Sequence, residues 1–178
     1  MYGCGSIASD YLDTDTNEQK RTTMNDLQKS TVSVLNSLIE ANENGRLGYQ
    51  QASENVQEPT LRSTFGQFSQ QHASFAEELR SEVRALGGDP EGREGSIGGS
   101  IFRGWISLKD ALSSHDAEAV LEECERGEER AVEQYEDALG SELPANVRSL
   151  VERQCNSLRE TKSRISALET RFDDDAWA

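Results

Sequence analysis

The chain has 178 residues, a formal net charge of −15 at pH 7 and 34% apolar residues, which suffices for one domain with a real core. That charge excludes a phosphate-backbone binder, whose affinity comes from clustered Lys and Arg, and it opposes contact with an anionic membrane surface. Cys4, Cys124 and Cys155 follow neither a disulfide framework nor a metal-ligand spacing, and no apolar run approaches a membrane span, so a soluble cytoplasmic protein is expected.

Residues 1–22 mix Gly, Ser, Asp and Thr with scattered apolar side chains and read as a mobile tail. The spacing predicts a first helix over 24–57, opening near Thr23 and closing before Pro59. Its inward stripe is Leu27, Val34, Leu38, Ala41, Gly45, Ala52 and Val56, with Thr31, Leu35 and Tyr49 at the flanks. A glycine inside a helix costs about 1 kcal/mol. The pair Gly45 and Gly48 therefore signals a close backbone approach, a bulge or a kink, and the close approach is the favoured account. Glu54 falls on the solvent side unless a bulge at these glycines turns it inward.

A second helix over 59–86 has Pro59 in its first turn and stops before Gly87 and Gly88. Its stripe is Leu61, Phe65, Phe68, His72, Phe75, Leu79, Val83 and Leu86, with the histidine at its middle, while Glu77, Glu78 and Glu82 read as marginal surface charge. The following loop, rich in Gly, carries no phosphate-cradling pattern. A short helix over 100–112, anchored by Trp105, is expected to cross the outside or an end of the bundle. A helix over 116–139 places Leu121, Cys124, Ala131, Val132, Tyr135 and Leu139 on one face, and Glu128 falls on that same face. His115, at its cap, reads as exposed. The last helix, over 144–169, opens at Pro144 and turns Val147, Leu150, Val151, Gln154, Leu158, Thr161, Ile165 and Leu168 inward, and residues 171–178 form a frayed, charged end.

Short connections pair these helices into two hairpins, so the expected fold class is all-α: an antiparallel four-helix bundle with a short extra helix in the connection between the hairpins. Counting along the helices sets His72, Glu128 and Gln154 at similar heights, with the Gly45, Gly48 and Tyr49 segment as the fourth contributor. A carboxylate on a core face must be paired, protonated or bound to something. A dinuclear carboxylate centre takes one Glu from each of two helices and Glu-x-x-His from each of the other two. No Glu-x-x-His occurs in this chain. One histidine, one carboxylate and an amide are too few for two hard cations, and even one iron or zinc would want a further Asp, Glu or His. A His72–Glu128 pair assisted by Gln154 and by the Tyr49 or Tyr135 hydroxyl satisfies burial without a metal. Cys124 lies one turn from Glu128, but no histidine is near it in sequence to activate it as a nucleophile.

Several local motifs carry a resemblance. They are Gly48-Tyr49 with Glu54; Gln71-His72 with Phe75 and Glu78-Leu79; Gly95-Ser96; Arg103-Gly104-Trp105 with Lys109; the run Glu123-Cys124-Glu125-Arg126-Gly127-Glu128 with Tyr135; Ala138-Leu139; and Leu143-Pro144. From about Asp26 to Leu168 the chain resembles the bacterial, ferritin-like four-helix family catalogued as domain of unknown function 2383. The resemblance implies a ferritin-like bundle and keeps Glu54, Glu125, Glu128 and Gln154 beside His72 as candidate metal ligands. Two departures from the family pattern stand out: no histidine near Thr161, and Glu129 where an Asp follows the central glutamate.

The resulting expectation is a non-catalytic, soluble ferritin-like bundle with a buried His-Glu-Gln network, no catalytic residue and no cofactor. The alternative is a metal-binding or oxidoreductase-type protein with a degenerate carboxylate–histidine centre for iron, manganese or zinc, in which Glu54 or Glu125 turns inward beside His72 and Glu128. A binding or assembly module that uses the acidic surface or the aromatic ends, with no partner identified by the sequence, is the third reading; a homo-oligomer is compatible with the bundle, and neither nucleic acid nor a membrane is expected as a partner.

Overall fold

The computed structural model describes the backbone of residues 9–90 and 117–176, and the side chains of residues 23–90 and 117–171. Among the described residues four helices and no strand are present: α1 (Ser9–Asn55), α2 (Pro59–Ala85), α3 (Ala117–Leu139) and α4 (Ala145–Ala176). The expected short helix over 100–112, with Trp105, and His115 lie outside the described residues.

The helix ends follow local chemistry. The Glu58 side chain accepts the Leu61 amide at 2.6 Å, and Pro59, lacking an N–H, occupies the first turn of α2, where that donor would have had no partner. At the other end Gly87 adopts φ 71°, its amide reaches the Arg84 carbonyl, and the Gly88 amide reaches that of Val83. This 5→2 and 6→1 pair is a Schellman motif, and it needs a residue without Cβ at the left-handed position. α1 begins at Ser9 rather than near Thr23, so residues 9–22, expected as a tail, continue the helix. Between Gly5 and Gly45 there is neither Gly nor Pro, and extending an existing helix avoids the cost of a new nucleus. α4 likewise runs to Ala176, past the expected 169, through a stretch free of both breakers.

Hydrogen bonds between helices fix their directions. Asn42 and Tyr49 on α1 meet Tyr135 and Glu128 on α3, so rising residue numbers face falling ones. The same inversion relates α1 to α2 through Arg46–Ser69 and Ser53–Arg62, α3 to α4 through Glu125–Ser166 and Tyr135–Gln154, and α2 to α4 through Gln71–Thr161 and Glu78–Gln154. Neighbours are therefore antiparallel, and the diagonals, α2 with α3 and α1 with α4, are parallel. With α2 and α3 parallel, the last residue of α2 and the first of α3 lie at opposite ends of the bundle. α2, with 27 residues, is about 40 Å long at roughly 1.5 Å per residue, which sets the scale of that separation.

The core divides into two apolar clusters. One gathers Leu35, Leu38, Phe75, Leu79, Tyr135, Val151 and Leu158, and the other Tyr49, Leu61, Phe65, Phe68, Leu121, Cys124 and Ile165. Asn42, His72, Glu128 and Gln154, all buried and one from each helix, belong to neither. Among the described residues no helix is long and apolar enough to cross a membrane.

Outside the core, Glu43 on α1 sits between Arg46 and Arg80, each at 2.8 Å. Burial pushes the Glu43 carboxyl up, but hydrogen bonds and charge from the two arginines outweigh it and hold the group below the ordinary 4.5. A carboxylate lowered in the folded state adds stability that is complete above its unfolded value and fades as pH falls through the folded one. Glu43→Gln is therefore expected to remove part of the acid sensitivity below about pH 4.5 while leaving the pH 7 to 9 plateau flat, as urea midpoints across a pH series would show.

Candidate functional site

α1 presents its seam at alternating steps of four and three: Thr31, Leu35, Leu38, Asn42, Tyr49, Ala52 and Val56 are all buried, and Gly45 fills the remaining step. The seam is rotated slightly from the expected stripe, since Leu35 is fully buried while Val34 is only partly so. Gly45 has a specific reason to be glycine. A Cβ there would stand 2.6 to 2.8 Å from three atoms of the His72 ring, so the imidazole lies directly against the α1 backbone. The favoured close approach is thereby realised, with α2 supplying the group that approaches.

His72, 1% exposed, is engaged on both ring nitrogens. Nδ1 lies 3.0 Å from Asn42 Oδ1, and Nε2 lies 3.2 Å from Glu128 Oε2 across the α2–α3 diagonal. The ring also stacks on Tyr49, with centroids 5.5 Å apart. Glu128, 1% exposed as well, accepts the Tyr49 hydroxyl on the same Oε2 at 2.6 Å, whereas its Oε1 is buried without a hydrogen-bond partner. Burial first, and then the Glu128 charge, push the Tyr49 phenol well above its ordinary range, so it stays a donor.

The Asn42 orientation is unambiguous. Its Nδ2 donates to the Leu38 carbonyl at 2.8 Å and to the Tyr135 hydroxyl at 2.6 Å, so Oδ1 must accept from His72 and Nδ1 must carry a proton. With Nδ1 protonated, the contact between Nε2 and Oε2 holds one further proton, making the pair imidazolium with carboxylate or imidazole with carboxylic acid. Either way the pair is net neutral, and the Tyr49 donor on Oε2 favours the carboxylate. Tyr135 then donates to Gln154 Oε1 at 2.7 Å, and Gln154 Nε2 donates to Glu78 Oε2 at 2.8 Å, where Arg153 also binds.

The structure thus brings His72, Glu128 and Gln154 into one network, through Asn42 and Tyr135, and leaves Glu54 and Glu125 outside it. Glu54 is exposed and takes a hydrogen bond from Gln50, one turn back on its own helix. Glu125 is half-buried and accepts from Ser166 on α4. Glu123, buried at the margin, pairs with Arg126 and Arg130. Two members were not foreseen. Asn42 is hidden by its polarity, although its spacing from Leu38 and Tyr49 marks it as a seam residue, and Glu78, read as surface charge, is the rim end of the network.

These donors do not fit a dinuclear centre, which needs several carboxylates and two histidines in one layer. The layer has one of each, and neither His72 nitrogen is free to bind a cation without first losing a hydrogen bond. Among the described residues no group of three or more His, Cys, Asp or Glu could hold a metal ion. Cys124 is no better placed for covalent chemistry. Burial first, then the charges of Glu128 and Glu123, push its thiol far above the range in which a thiolate forms.

Three comparisons place this geometry among known proteins. Residues 30–141 match the model of a family described as Domain of unknown function (DUF2383). A search of curated proteins finds no match. Among solved structures, the chain is similar to one described as ferritin like, diiron-carboxylate proteins from Bacillus anthracis str. Ames, with a TM-score of 0.57 and 15% identity over 80% of this chain and 95% of that one. At that identity the likeness shows the fold, a ferritin-like four-helix bundle.

Proposed function

Because the chain belongs to the family described as Domain of unknown function (DUF2383), we propose that it is a non-catalytic, soluble ferritin-like bundle protein, cytoplasmic in setting, whose centre is closed by a hydrogen-bonded polar network instead of a metal. The observation that carries this reading is the double engagement of His72 by Asn42 and Glu128. A histidine ligates through a ring lone pair. Here one nitrogen is committed as a donor to an amide oxygen, and the other shares its proton with a buried carboxylate. The Cys124 thiol, pushed up by burial, also supports the reading, since it does not supply a thiolate nucleophile beside Glu128.

Protein purified without chelators is expected to contain iron, manganese and zinc far below one ion per chain by elemental analysis. Near-stoichiometric metal that disappears on Glu128→Gln would overturn the reading.

One observation favours a second reading, a metal-handling centre using His72, Glu128 and Gln154: the buried Glu128 Oε1 has no hydrogen-bond partner. That reading requires Glu54 to leave the surface, or Glu125 to leave Ser166, and turn into the core. The same elemental analysis, with Glu54→Gln and Glu125→Gln added, separates the two.

A further inference from the structure

We propose that Glu78, at the rim between α2 and α4, sets whether Nδ1 of the buried His72 faces an acceptor and so holds a proton, through a one-way chain of hydrogen bonds; this rests on the metal-free reading of the centre. His72 Nδ1 donates to Asn42, Asn42 Nδ2 to Tyr135, Tyr135 to Gln154, and Gln154 Nε2 to Glu78, over distances of 3.0, 2.6, 2.7 and 2.8 Å. Every donor points outward, toward the carboxylate. The Glu78 side chain is 37% exposed, whereas Asn42, His72, Tyr135 and Gln154 are buried, so the chain joins surface to core.

An ionised carboxylate only accepts, and an amide offers a donor on one side and an acceptor on the other. Glu78 therefore draws the NH2 of Gln154 toward the rim, aided by the Phe75 carbonyl at 3.4 Å, and Gln154 Oε1 is left to face Tyr135. Tyr135 must then donate outward and accept from Asn42, which leaves Asn42 Oδ1 for His72. A donor in place of Glu78 makes the opposite demand at each link. Gln154 turns its oxygen to the rim, Tyr135 donates to Asn42 Oδ1, and Asn42 Nδ2 seeks a lone pair on His72 Nδ1. His72 Nδ1 would then release its proton to solvent, and Nε2 would keep the one it shares with Glu128. Opposing that reversal is the Asn42 bond to the Leu38 carbonyl, which has to be given up. The charged and titratable groups around the two ends are Arg153 on Glu78, and Tyr49 and Glu128 on His72. Anything that captures Glu78 or replaces it with a donor is thereby felt at the diagonal contact in the core.

The test is the ring 15N spectrum of His72 in the full chain, read on samples whose metal content has been measured, so that failure of the metal-free reading is seen separately. The chain has two histidines, and His115→Asn assigns the signal. Native protein is expected to show an Nδ1-bound proton, and Glu78→Lys with Arg153→Glu, which retains the rim ion pair, is expected to move it off Nδ1. If the exchanged pair fails to fold, Glu78→Lys alone makes the same demand of Gln154. In a Gln154→Leu background the exchange should leave His72 unchanged. A native His72 without an Nδ1 proton, or a folded Glu78→Lys variant with the native nitrogen pattern, overturns the proposal.

Discussion

Replacement of His72 by Leu is expected to destabilise the protein by about 3–5 kcal/mol, the cost of breaking a buried ion pair from one side. Glu128, 1% exposed, would keep only the Tyr49 hydroxyl, and Asn42 Oδ1 would lose its donor. Adding Glu128→Met should then recover much of the loss, because a buried pair replaced by apolar side chains of similar volume is often close to neutral. Recovery should be incomplete, since Asn42 Oδ1 and the Tyr49 hydroxyl remain unpaired, each costing about 1–3 kcal/mol. Urea unfolding of the two single variants and the double variant measures this directly, provided the slopes agree. A double variant whose loss equals the sum of the singles would mean that the diagonal contact at 3.2 Å carries no coupling.

That experiment addresses the part of the molecule that was most legible beforehand. Seven of the eight stripe residues of the second helix, Leu61 to Val83, are buried with His72 at their centre, while Leu86 at the C-cap is only partly so, and Glu128 occupies the corresponding place on α3. Periodicity reveals such positions because a polar residue inside an apolar stripe has nowhere else to go. Gln154 and the Tyr hydroxyls followed from the same reasoning. α1 was harder to read. Its apolar residues scatter over a wide arc, and the true seam runs through Asn42, which a hydrophobicity pattern passes over. Glu78 was missed for the converse reason: it sits at the margin of its helix, and only the approach of α4 brings Gln154 and Arg153 to it. The glycine at 45 announced a close approach, but which side chain would fill it depended on the axial register of two helices, and one turn of offset is about 5 Å.

Gly45→Ala tests that register. Two effects of opposite sign compete. Alanine in place of glycine favours a helix interior by about 1 kcal/mol. Against it, the new Cβ would lie 2.6 Å from Cε1, 2.7 Å from Nδ1 and 2.8 Å from Nε2 of His72. The ring cannot swing aside cheaply, because Asn42 and Glu128 hold it on both nitrogens. Overpacking costs about 1–3 kcal/mol, and each displaced hydrogen bond adds about 1 kcal/mol. The clash should therefore win, with a net loss of about 2–3 kcal/mol once the helical gain is subtracted. Gly127→Ala on α3 serves as the internal comparison, since its Cβ would meet nothing within 4 Å and only the helical gain of about 1 kcal/mol applies. The decisive measurement is Gly45→Ala made in a His72→Ala background. With the imidazole gone, the same substitution should change sign and become stabilising. If it remains as destabilising as before, the cost arises from the α1 backbone, and the close packing of His72 against Gly45 is not what demands a glycine there.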